Sequence, residues 1–310
     1  MINSIIENWS DRKTDIFGNQ TVLFNHRLKD TGLFTHEALA ELIEKCPSDH
    51  YNITTMGYDP FNPEWREGVV GDASGADTIR AIKNGRMWLN MRKVGEIDAR
   101  YDKVLNKIFD EFESLVPGFD TFKRQIGILV SSPKVQVFYH ADVPGQSLWQ
   151  VEGTKKVYIY PPRDPYLSKE SLEGIILGRT EEEIPYNKSF DKHAEIFDLE
   201  PGQALHWPLN GPHRIENADC LNISVTTEHW TKEIRNSYAV NYANGVLRRG
   251  LGLKTMAAQP KGLHVYPKAA LTLVHKKLNL GKSTKVVRKV DFKVNPSAPK
   301  GIMDIPAYAK

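Results

Sequence analysis

The feature that most constrains the fold is a run of short strand-like segments between residues 125 and 230. Each segment is rich in β-branched and aromatic residues and is bounded by Ser-Pro, Pro-Gly or Gly, which is typical of strands joined by turns. Seven such segments in about a hundred residues predict a mainly β fold, an antiparallel barrel or jelly roll with helical additions. The segments are IGILVS, VQVFYH, SLWQVE, KKVYIYPP, AEIFDLE, QALHWP and LNISVTT.

Helical patterns flank the strand-rich region and interrupt it once. Thr35 can cap a helix over HEALAELIEKC, and residues 97–115 carry apolar side chains at three- and four-residue spacing. A short helix is expected at SKESLEGIIL, and another amphipathic helix after Pro267. An insertion between strands often forms part of a binding surface. The expected regions are 1–120, mixed and mainly helical and packed on the barrel; 121–230, the β core with an insertion at about 163–193; and 231–310, a helical, basic extension.

Charge is divided unevenly along the chain. The net charge is 41 − 38 = +3, but residues 246–310 hold 14 Lys and Arg against two Asp and carry +12. Residues 1–245 must then carry 27 − 36 = −9. A basic extension is more often solvated or docked on its own acidic body, and the alternative is contact with an anionic membrane or a nucleic acid. The cations concerned are Lys276, Lys277, Lys282, Lys285, Arg288 and Lys289.

Apolar positions in this extension predict a packing surface. Around residues 269–280 a helical pattern groups leucine and valine side chains on one helix. We expect this helix to pack on another part of the protein or on a second subunit, which would give a homodimer. The positions are Leu271, Leu273, Val274 and Leu278.

Composition and hydropathy exclude disulfide scaffolds, membrane-spanning proteins and secreted proteins. The two cysteines, Cys46 and Cys220, do not make a disulfide framework. No apolar run reaches the roughly 18 residues that a membrane span needs. The N-terminal residues are polar where a secretion signal is apolar. We therefore expect a cytoplasmic protein.

The sequence YHAD at residues 139–142 suggests a metal site. Residues i and i+2 of a strand face the same side, so that His140 and Asp142 can bind one ion. His213, which opens a late strand after a tight turn, is the candidate third ligand. Two imidazoles and one carboxylate on one side of an ion form the facial triad of non-haem Fe(II) oxygenases. Taken alone, a histidine in a His-x-Asp triplet is more often a satisfied surface or core residue.

Strand parity places a lysine among inward aliphatic side chains. In KKVYIYPP, Lys155 shares its face with Val157 and Ile159, and a buried ammonium requires an anionic partner. A dicarboxylate cosubstrate would supply one, and the alternatives are a structural salt bridge or a lysine that reaches solvent. Parity also predicts a polar strip on the last strand, which faces either a wet interior or solvent: Asn222, Ser224 and Thr226.

At these residues the sequence resembles the jumonji-C, or cupin-like, branch of the 2-oxoglutarate/Fe(II)-dependent oxygenases. Its pattern is most similar to the group containing the asparaginyl hydroxylase that acts on hypoxia-inducible factor. The resemblance covers about residues 125–230 and rests on YHADVPGQSLWQVEGTKKVYIYPP and LEPGQALHWPLNGPHRIEN, which carry the family's features in the family's order. It implies a double-stranded β-helix core that uses Fe(II), the cosubstrate 2-oxoglutarate and O2.

The resemblance also implies roles for individual residues. His140, Asp142 and His213 correspond to the iron ligands, and Lys155 corresponds to the lysine that pairs with the distal carboxylate of 2-oxoglutarate. The other correspondences are Gln150 with a position that often touches substrate, and Thr226 and Asn222 with polar positions near the cosubstrate.

Three functions fit these observations. The first is an Fe(II)/2-oxoglutarate-dependent oxygenase that hydroxylates a C–H bond of a small-molecule or peptide substrate. The second is a non-catalytic cupin-like binding or regulatory protein that retains the ligands, and the third is a cupin that uses another divalent metal without 2-oxoglutarate. Lys155 favours the first function over the third, and the complete triad favours it over the second. Val137 speaks against the first, since many members have a threonine there that hydrogen-bonds the cosubstrate.

Overall fold

The computed structural model describes the fold at residues 4–59, 64–180, 182–278, 280 and 288–309. The strands of these residues form two sheets. In chain order they are β1 (Ile6–Glu7), β2 (Val22–His26), β3 (Tyr51–Met56), β4 (Trp65–Val69), β5 (Met87–Met91), β6 (Phe122–Ser131), β7 (Gln136–His140), β8 (Gly145–Glu152), β9 (Lys155–Ile159), β10 (Glu195–Leu199), β11 (Gln203–His206), β12 (His213–Asn217), β13 (Asn222–Trp230), β14 (Lys289–Val294) and β15 (Ile302–Ala309).

The helices lie mostly before and after the strand-rich region. Within the described parts of the chain, none of them is both long enough and apolar enough to span a membrane. The α-helices are α1 (Asp11–Ile16), α2 (His36–Lys45), α3 (Gly75–Asn84), α4 (Val94–Ile97), α5 (Ala99–Leu115), α6 (Lys169–Ile176), α7 (Lys232–Leu251) and α8 (Val265–Lys277), and Leu28–Thr31 and Lys188–His193 are 3₁₀ turns.

Strands β6 to β13 form a double-stranded β-helix, the jelly roll that the sequence predicts. The smaller sheet has the order β10-β9-β12-β7, and β11-β8-β13-β6 form the middle of the larger sheet. All pairs within these two groups are antiparallel. Aliphatic side chains from both sheets pack together in the interior: Leu129, Leu148, Val157, Ile159, Leu199, Leu205 and Ile215, with Trp207.

The larger sheet extends beyond the jelly roll on both sides. β2 and β1 continue it from β11, and β5, β3, β4, β14 and β15 continue it from β6. Helices α2, α3 and α5 cover the outer face of this sheet and share the main hydrophobic core with it. The strands β1 to β5 were not predicted. They are short, and β2, β4 and β5 also pair with strands distant in sequence, so that local propensity alone does not identify them.

The predicted helices before and within the jelly roll are confirmed, as is the predicted cap at Thr35. The Thr35 side chain accepts a hydrogen bond from the Ala38 backbone at the start of α2, and Asp98 caps α5 in the same way. Ser168 caps α6 inside the insertion. Side-chain oxygens at these positions satisfy N–H groups that the first turn of a helix leaves free.

Helix α8 begins at Val265, two residues before the predicted boundary at Pro267. Proline fits the first turn of a helix, where the missing N–H would have no intrahelical partner. The proline therefore lies inside the helix and does not precede it. The C-terminal end of the predicted helical extension, residues 231–310, also differs from expectation, because it forms the strands β14 and β15.

The described end of the basic extension is docked on the body of the protein. β14 pairs in parallel with β4, and Lys293 Nζ lies 3.3 Å from Asp72. In the other direction, Arg66 on β4 forms ion pairs with two carboxylates of the extension, Asp291 at 3.0 Å and Asp304 at 2.7 Å. Self-docking, one of the outcomes expected, thus holds for this end. The cations at positions 282 and 285 lie outside the described residues.

Candidate metal centre

The candidate ligands lie where two strands of the smaller sheet meet. β7 and β12 are antiparallel neighbours, and His140 stands directly opposite His213. The centroids of the two rings are 4.1 Å apart. Asp142 follows β7 by two residues, and its carboxylate oxygens lie 3.9 Å from His140 Nε2 and 3.4 Å from His213 Nε2. The structure therefore brings the three predicted ligands together.

The position of Asp142 is set by hydrogen bonds, because β7 ends at His140. Asn210, in the turn before β12, adopts a left-handed φ of 57°, which asparagine tolerates. Its Nδ2 donates to the backbone oxygen of Asp142 over 2.6 Å. On the other side, the backbone N–H of Ala141 donates to the oxygen of Glu182 over 3.2 Å. The insertion and the turn together hold the aspartate where strand parity alone was expected to place it.

Hydrogen bonds also fix the imidazoles in a tautomer suited to metal binding. His140 Nδ1 lies 2.7 Å from the backbone oxygen of Phe138, and His213 Nδ1 lies 3.0 Å from that of Gly211. Since a carbonyl oxygen only accepts, Nδ1 carries the hydrogen and Nε2 of each ring presents a lone pair. Burial lowers the pKa of both histidines, that of His213 well below its usual value, and keeps both rings neutral.

Asp142 has one carboxylate oxygen to which no described residue donates a hydrogen bond. Its Oδ2 is buried without a hydrogen bond from the described residues, and burial raises the pKa of this carboxyl well above its usual range. Such an atom is unfavourable unless a ligand satisfies it. The three ligand atoms lie within 4.8 Å of one another, and the carboxylate–imidazole distances of 3.9 and 3.4 Å are within the roughly 4.4 Å that two metal–ligand bonds of about 2.2 Å can span. The residues therefore fit one divalent cation bound from one side.

The triad forms part of the wall of a cavity of about 770 Å³. This volume lies within the usual range of ligand-binding pockets. Both sheets of the jelly roll, the insertion and the N-terminal strands contribute to the wall. Its apolar lining includes Leu129, Val137, Leu148, Trp207 and Ile215, and its polar lining includes Thr54, Asn90, Gln146, Thr226 and Glu228.

Lys155 is buried between the two sheets and is not among the residues that line the cavity. The side chain is 4% exposed, and Nζ donates to Ser224 Oγ over 2.7 Å. Ser224 stands opposite Leu129, a residue that lines the cavity. Burial lowers the pKa of Lys155 to about 7, because desolvation disfavours the ammonium. The inward orientation expected from parity is what the structure shows.

Gln150 and Asn222 lie deeper than predicted and do not line the cavity. Gln150 is fully buried, and its amide nitrogen donates to Asn222 Oδ1 at 2.7 Å and to the backbone oxygens of Glu152 and Gly153. Its carbonyl oxygen accepts from Ser224 Oγ at 2.7 Å. With its amide engaged inside the protein, Gln150 is not placed to touch a substrate. The resemblance implied a position near substrate for Gln150, whereas the register of β8 on β13 sets it opposite Ser224 in the buried network.

Glu228 and Gln146 are among the polar residues of the cavity that were not predicted from the sequence. Glu228 stands opposite Gln146 on the larger sheet, and both line the cavity on the side away from Lys155. Burial raises the pKa of Glu228, and Gln146 Oε1 is buried with no hydrogen-bond partner among the described residues. The alternation of Ser224 and Thr226 on β13 extends to Glu228 and could have identified it.

Arg214, beside the third ligand, faces away from the triad as alternation predicts. Its Nη2 lies 2.8 Å from Asp191 Oδ2, and its guanidinium lies 3.4 Å from the centroid of Tyr158. These contacts tie the insertion to β12. His206 is likewise outside the site, since its ring stacks on Phe17 at 4.0 Å in the core.

No protein-family model matches the chain, and no curated protein matches it. Solved structures do match. A crystal structure of ycfD from E. coli is 15% identical over 88% of this chain and 68% of that chain, with a TM-score of 0.53. This match shows that the two chains share a fold.

Two further matches have lower TM-scores. A structure of YcfD, described as a ribosomal oxygenase from Escherichia coli in complex with cobalt and 2-oxoglutarate, is 16% identical over 90% of this chain and 68% of that chain, with a TM-score of 0.47. SnoK, a non-haem α-ketoglutarate-dependent carbocyclase from nogalamycin biosynthesis, is 13% identical over 73% of this chain and 86% of that chain, with a TM-score of 0.45.

Proposed function

We propose that the protein is an Fe(II)- and 2-oxoglutarate-dependent oxygenase that hydroxylates a C–H bond of its substrate. One observation carries the proposal: two neutral imidazoles and an unsatisfied carboxylate oxygen converge on the wall of a cavity large enough for ligands. His140, Asp142 and His213 would hold the ion from one side. The open side of such a triad is available to a cosubstrate and to O2.

Lys155 and Thr226 support 2-oxoglutarate as the cosubstrate. A dicarboxylate that meets the triad at one end would extend toward the apolar floor of Leu129 and Ile215, with its distal carboxylate directed at Lys155. Thr226 lines the cavity on the adjacent strand and can donate a hydrogen bond to it. Val137 lines the wall as an aliphatic residue, so that the distal carboxylate would depend more on the lysine and on Thr226.

The chain's own residues would hold the ligand atoms, neutralise the cosubstrate and exclude water from the site. Fe(II) with 2-oxoglutarate and O2, when bound, supplies hydroxylation of a C–H bond coupled to oxidative decarboxylation to succinate and CO2. Asn210 and the two carbonyl acceptors of the imidazoles hold the ligand atoms in place. A protonated Lys155 would neutralise the distal carboxylate. Trp207 and Ile215 exclude water from the floor of the cavity.

The substrate is proposed to be a small molecule or a peptide. On the cavity side that carries Glu228, Gln146 Oε1 is a buried acceptor without a partner among the described residues, and a substrate with N–H or O–H donors would satisfy it. The similarity in pattern to the asparaginyl hydroxylase group stays a prediction from sequence.

The metal assignment can be tested by spectroscopy under anaerobic conditions. Fe(II) with 2-oxoglutarate should give wild-type protein a weak visible charge-transfer band, and succinate release in air should require iron. His140→Ala should remove the band and the iron affinity. His36→Ala is the matched control, because His36 lies on the surface in contact with Glu152, and it should change neither.

The outcomes separate the alternatives. Iron binding without succinate release under any substrate condition would favour the non-catalytic binding protein. Metal binding that 2-oxoglutarate does not perturb would favour a cupin that uses a metal alone. Unchanged iron affinity in His140→Ala would refute the triad itself.

A further inference from the structure

Exposed apolar side chains are concentrated in one part of the chain. Of the 14 large hydrophobic residues that are exposed among the described residues, eight lie between residues 251 and 280. Scattered apolar residues are ordinary on a protein surface, whereas a group of them marks an interaction site. The eight are Leu251, Leu253, Leu263, Tyr266, Leu273, Val274, Leu278 and Leu280, with exposed fractions of 44% to 85%.

Half of this group lies on one face of α8. The opposite face packs on α7, where Val265 and Thr272 are buried and Thr272 Oγ1 donates to the backbone oxygen of Ala239. At 100° per residue the exposed side chains cover about 140° of the helix circumference, as an amphipathic stripe does. This outer face of α8 consists of Tyr266, Ala270, Leu273, Val274, Lys277 and Leu278.

The charges in this region are almost entirely positive. Residues 234–278 contain eight Lys and Arg and no Asp or Glu. Arg248 and Lys261 contact carboxylates from outside this range, which leaves an excess of positive charge. Lys277 stands within the outer face, and Lys276 lies beside it, 4.4 Å from the ring centroid of Tyr238.

We propose that the outer face of α8 docks the protein on an anionic lipid surface. Leucine, valine and tyrosine side chains would enter the boundary between headgroups and acyl chains, and the lysines would meet the phosphates. A second copy that presented the same face would set cations against cations, since residues 234–278 offer no carboxylate. A nucleic acid would satisfy the lysines and leave the aliphatic side chains uncovered. A lipid surface satisfies both.

Vesicle sedimentation with the whole 310-residue chain tests this proposal. Wild-type protein should bind vesicles of phosphatidylcholine and phosphatidylserine in equal parts at least tenfold more tightly than vesicles of phosphatidylcholine alone, and salt should weaken binding. The double variant Leu273→Ser/Val274→Ser should lose at least tenfold in affinity, and Lys277→Glu should also weaken it. Ile196→Ser is the matched control, because Ile196 is 49% exposed on β10, and it should bind like the wild type.

Three results would overturn the proposal. The first is equal binding of wild type and the double variant to the anionic vesicles, or no binding by either. The second is a dimer in light scattering that the double variant converts to a monomer, without vesicle binding, which would make the face a contact between copies. The third is RNA binding by the wild type that vesicles do not displace. Circular dichroism of each variant checks that its fold is retained.

Discussion

Lys155 allows a quantitative test of the proposed cosubstrate. Burial lowers the pKa of this lysine to about 7, and the ammonium has Ser224 Oγ as its hydrogen-bond partner. A dianion bound against the lysine would favour the protonated form and so raise its pKa. Above pH 7, binding would then require the uptake of a proton. We therefore expect the affinity for 2-oxoglutarate to fall as the pH rises above 7.

The size of the effect follows from the pKa. At pH 9, about two units above it, roughly one lysine in a hundred is protonated, and the affinity should be about 100-fold weaker than at pH 6, or about 2.7 kcal/mol. Between pH 6 and pH 7 the affinity should change little. Lys155→Met removes the charge at similar length and should flatten the profile. It should also weaken binding at pH 6 by about 10- to 100-fold, since a hydrogen bond to a charged group contributes about 1.5–3 kcal/mol.

Isothermal titration calorimetry of Mn(II)-loaded protein from pH 6 to pH 9 measures this profile. Buffers of different ionisation enthalpy report the number of protons taken up with the ligand. 2-Oxobutyrate is the matched control ligand, because it keeps the 2-oxo acid that can chelate the metal and lacks the distal carboxylate. Its affinity should not depend on Lys155 protonation.

The reasoning would be refuted if 2-oxoglutarate and 2-oxobutyrate showed the same pH dependence. It would also fail if Lys155→Met bound 2-oxoglutarate as tightly as the wild type at pH 6. Weakened binding of both ligands by the variant would point to a disturbed metal site, and a separate titration of the metal-free variant with Mn(II) decides that point.

Three further predictions concern stability. Lys155→Met should raise the unfolding free energy of the metal-free protein at pH 6 by up to about 5 kcal/mol, because the lowered pKa penalises the protonated native state; the gain should shrink as the pH rises from 7 to 10.5, and identical urea curves would contradict it. Asp142→Asn should abolish the rise in melting temperature that Mn(II) gives the wild type, measured by calorimetry; a retained rise would remove Asp142 from the ligand set. Asp191→Asn should lower the unfolding free energy by about 1–3 kcal/mol, since Arg214 would stay largely buried beside a neutral amide. Hydrogen exchange should then speed up in residues 163–193 more than in β13, and a uniform change would show that this ion pair does not act locally.

Alternation along strands predicted which face each site residue occupies. Lys155 shares the inward face with Val157 and Ile159, and all three are buried between the sheets. On β13, Ser224 and Thr226 face inward while Val225 joins the core on the other side. The period of a strand is two, and this local property depends on no distant partner. The inward faces of these residues followed from it, whereas Asp142 lies beyond the end of β7 and is positioned by hydrogen bonds with the turn and the insertion.

Depth within the jelly roll could not be predicted in the same way. Gln150 has the correct parity, but the register of β8 on β13 sets it opposite Ser224, while Leu148 stands opposite Thr226 at the level of the cavity. Register is a relation between two strands, and the turns and packing of both determine it. A single segment therefore gives the face of a residue but not its distance from the metal.

The part of the cavity wall that the N-terminal strands form was harder still to predict from the sequence. Thr54 and Asn90 reach the cavity only because β3 and β5 extend the larger sheet beyond β6. These strands are five and six residues long, and strand propensity reflects packing more than backbone preference. Their contribution appears only when pairs from distant parts of the chain are formed.

The inward residues of β13 differ in what they contact at successive depths. Asn222 and Ser224 hydrogen-bond Gln150 and Lys155 in the buried network, Thr226 lines the cavity, and Glu228 stands beside the unsatisfied Gln146. A cosubstrate held between the triad and Lys155 would lie alongside Thr226. Glu228 would then lie beyond it, on the side from which a substrate must approach. By depth, we therefore predict that Glu228 contacts the substrate, in place of Gln150, for which the resemblance implied that contact.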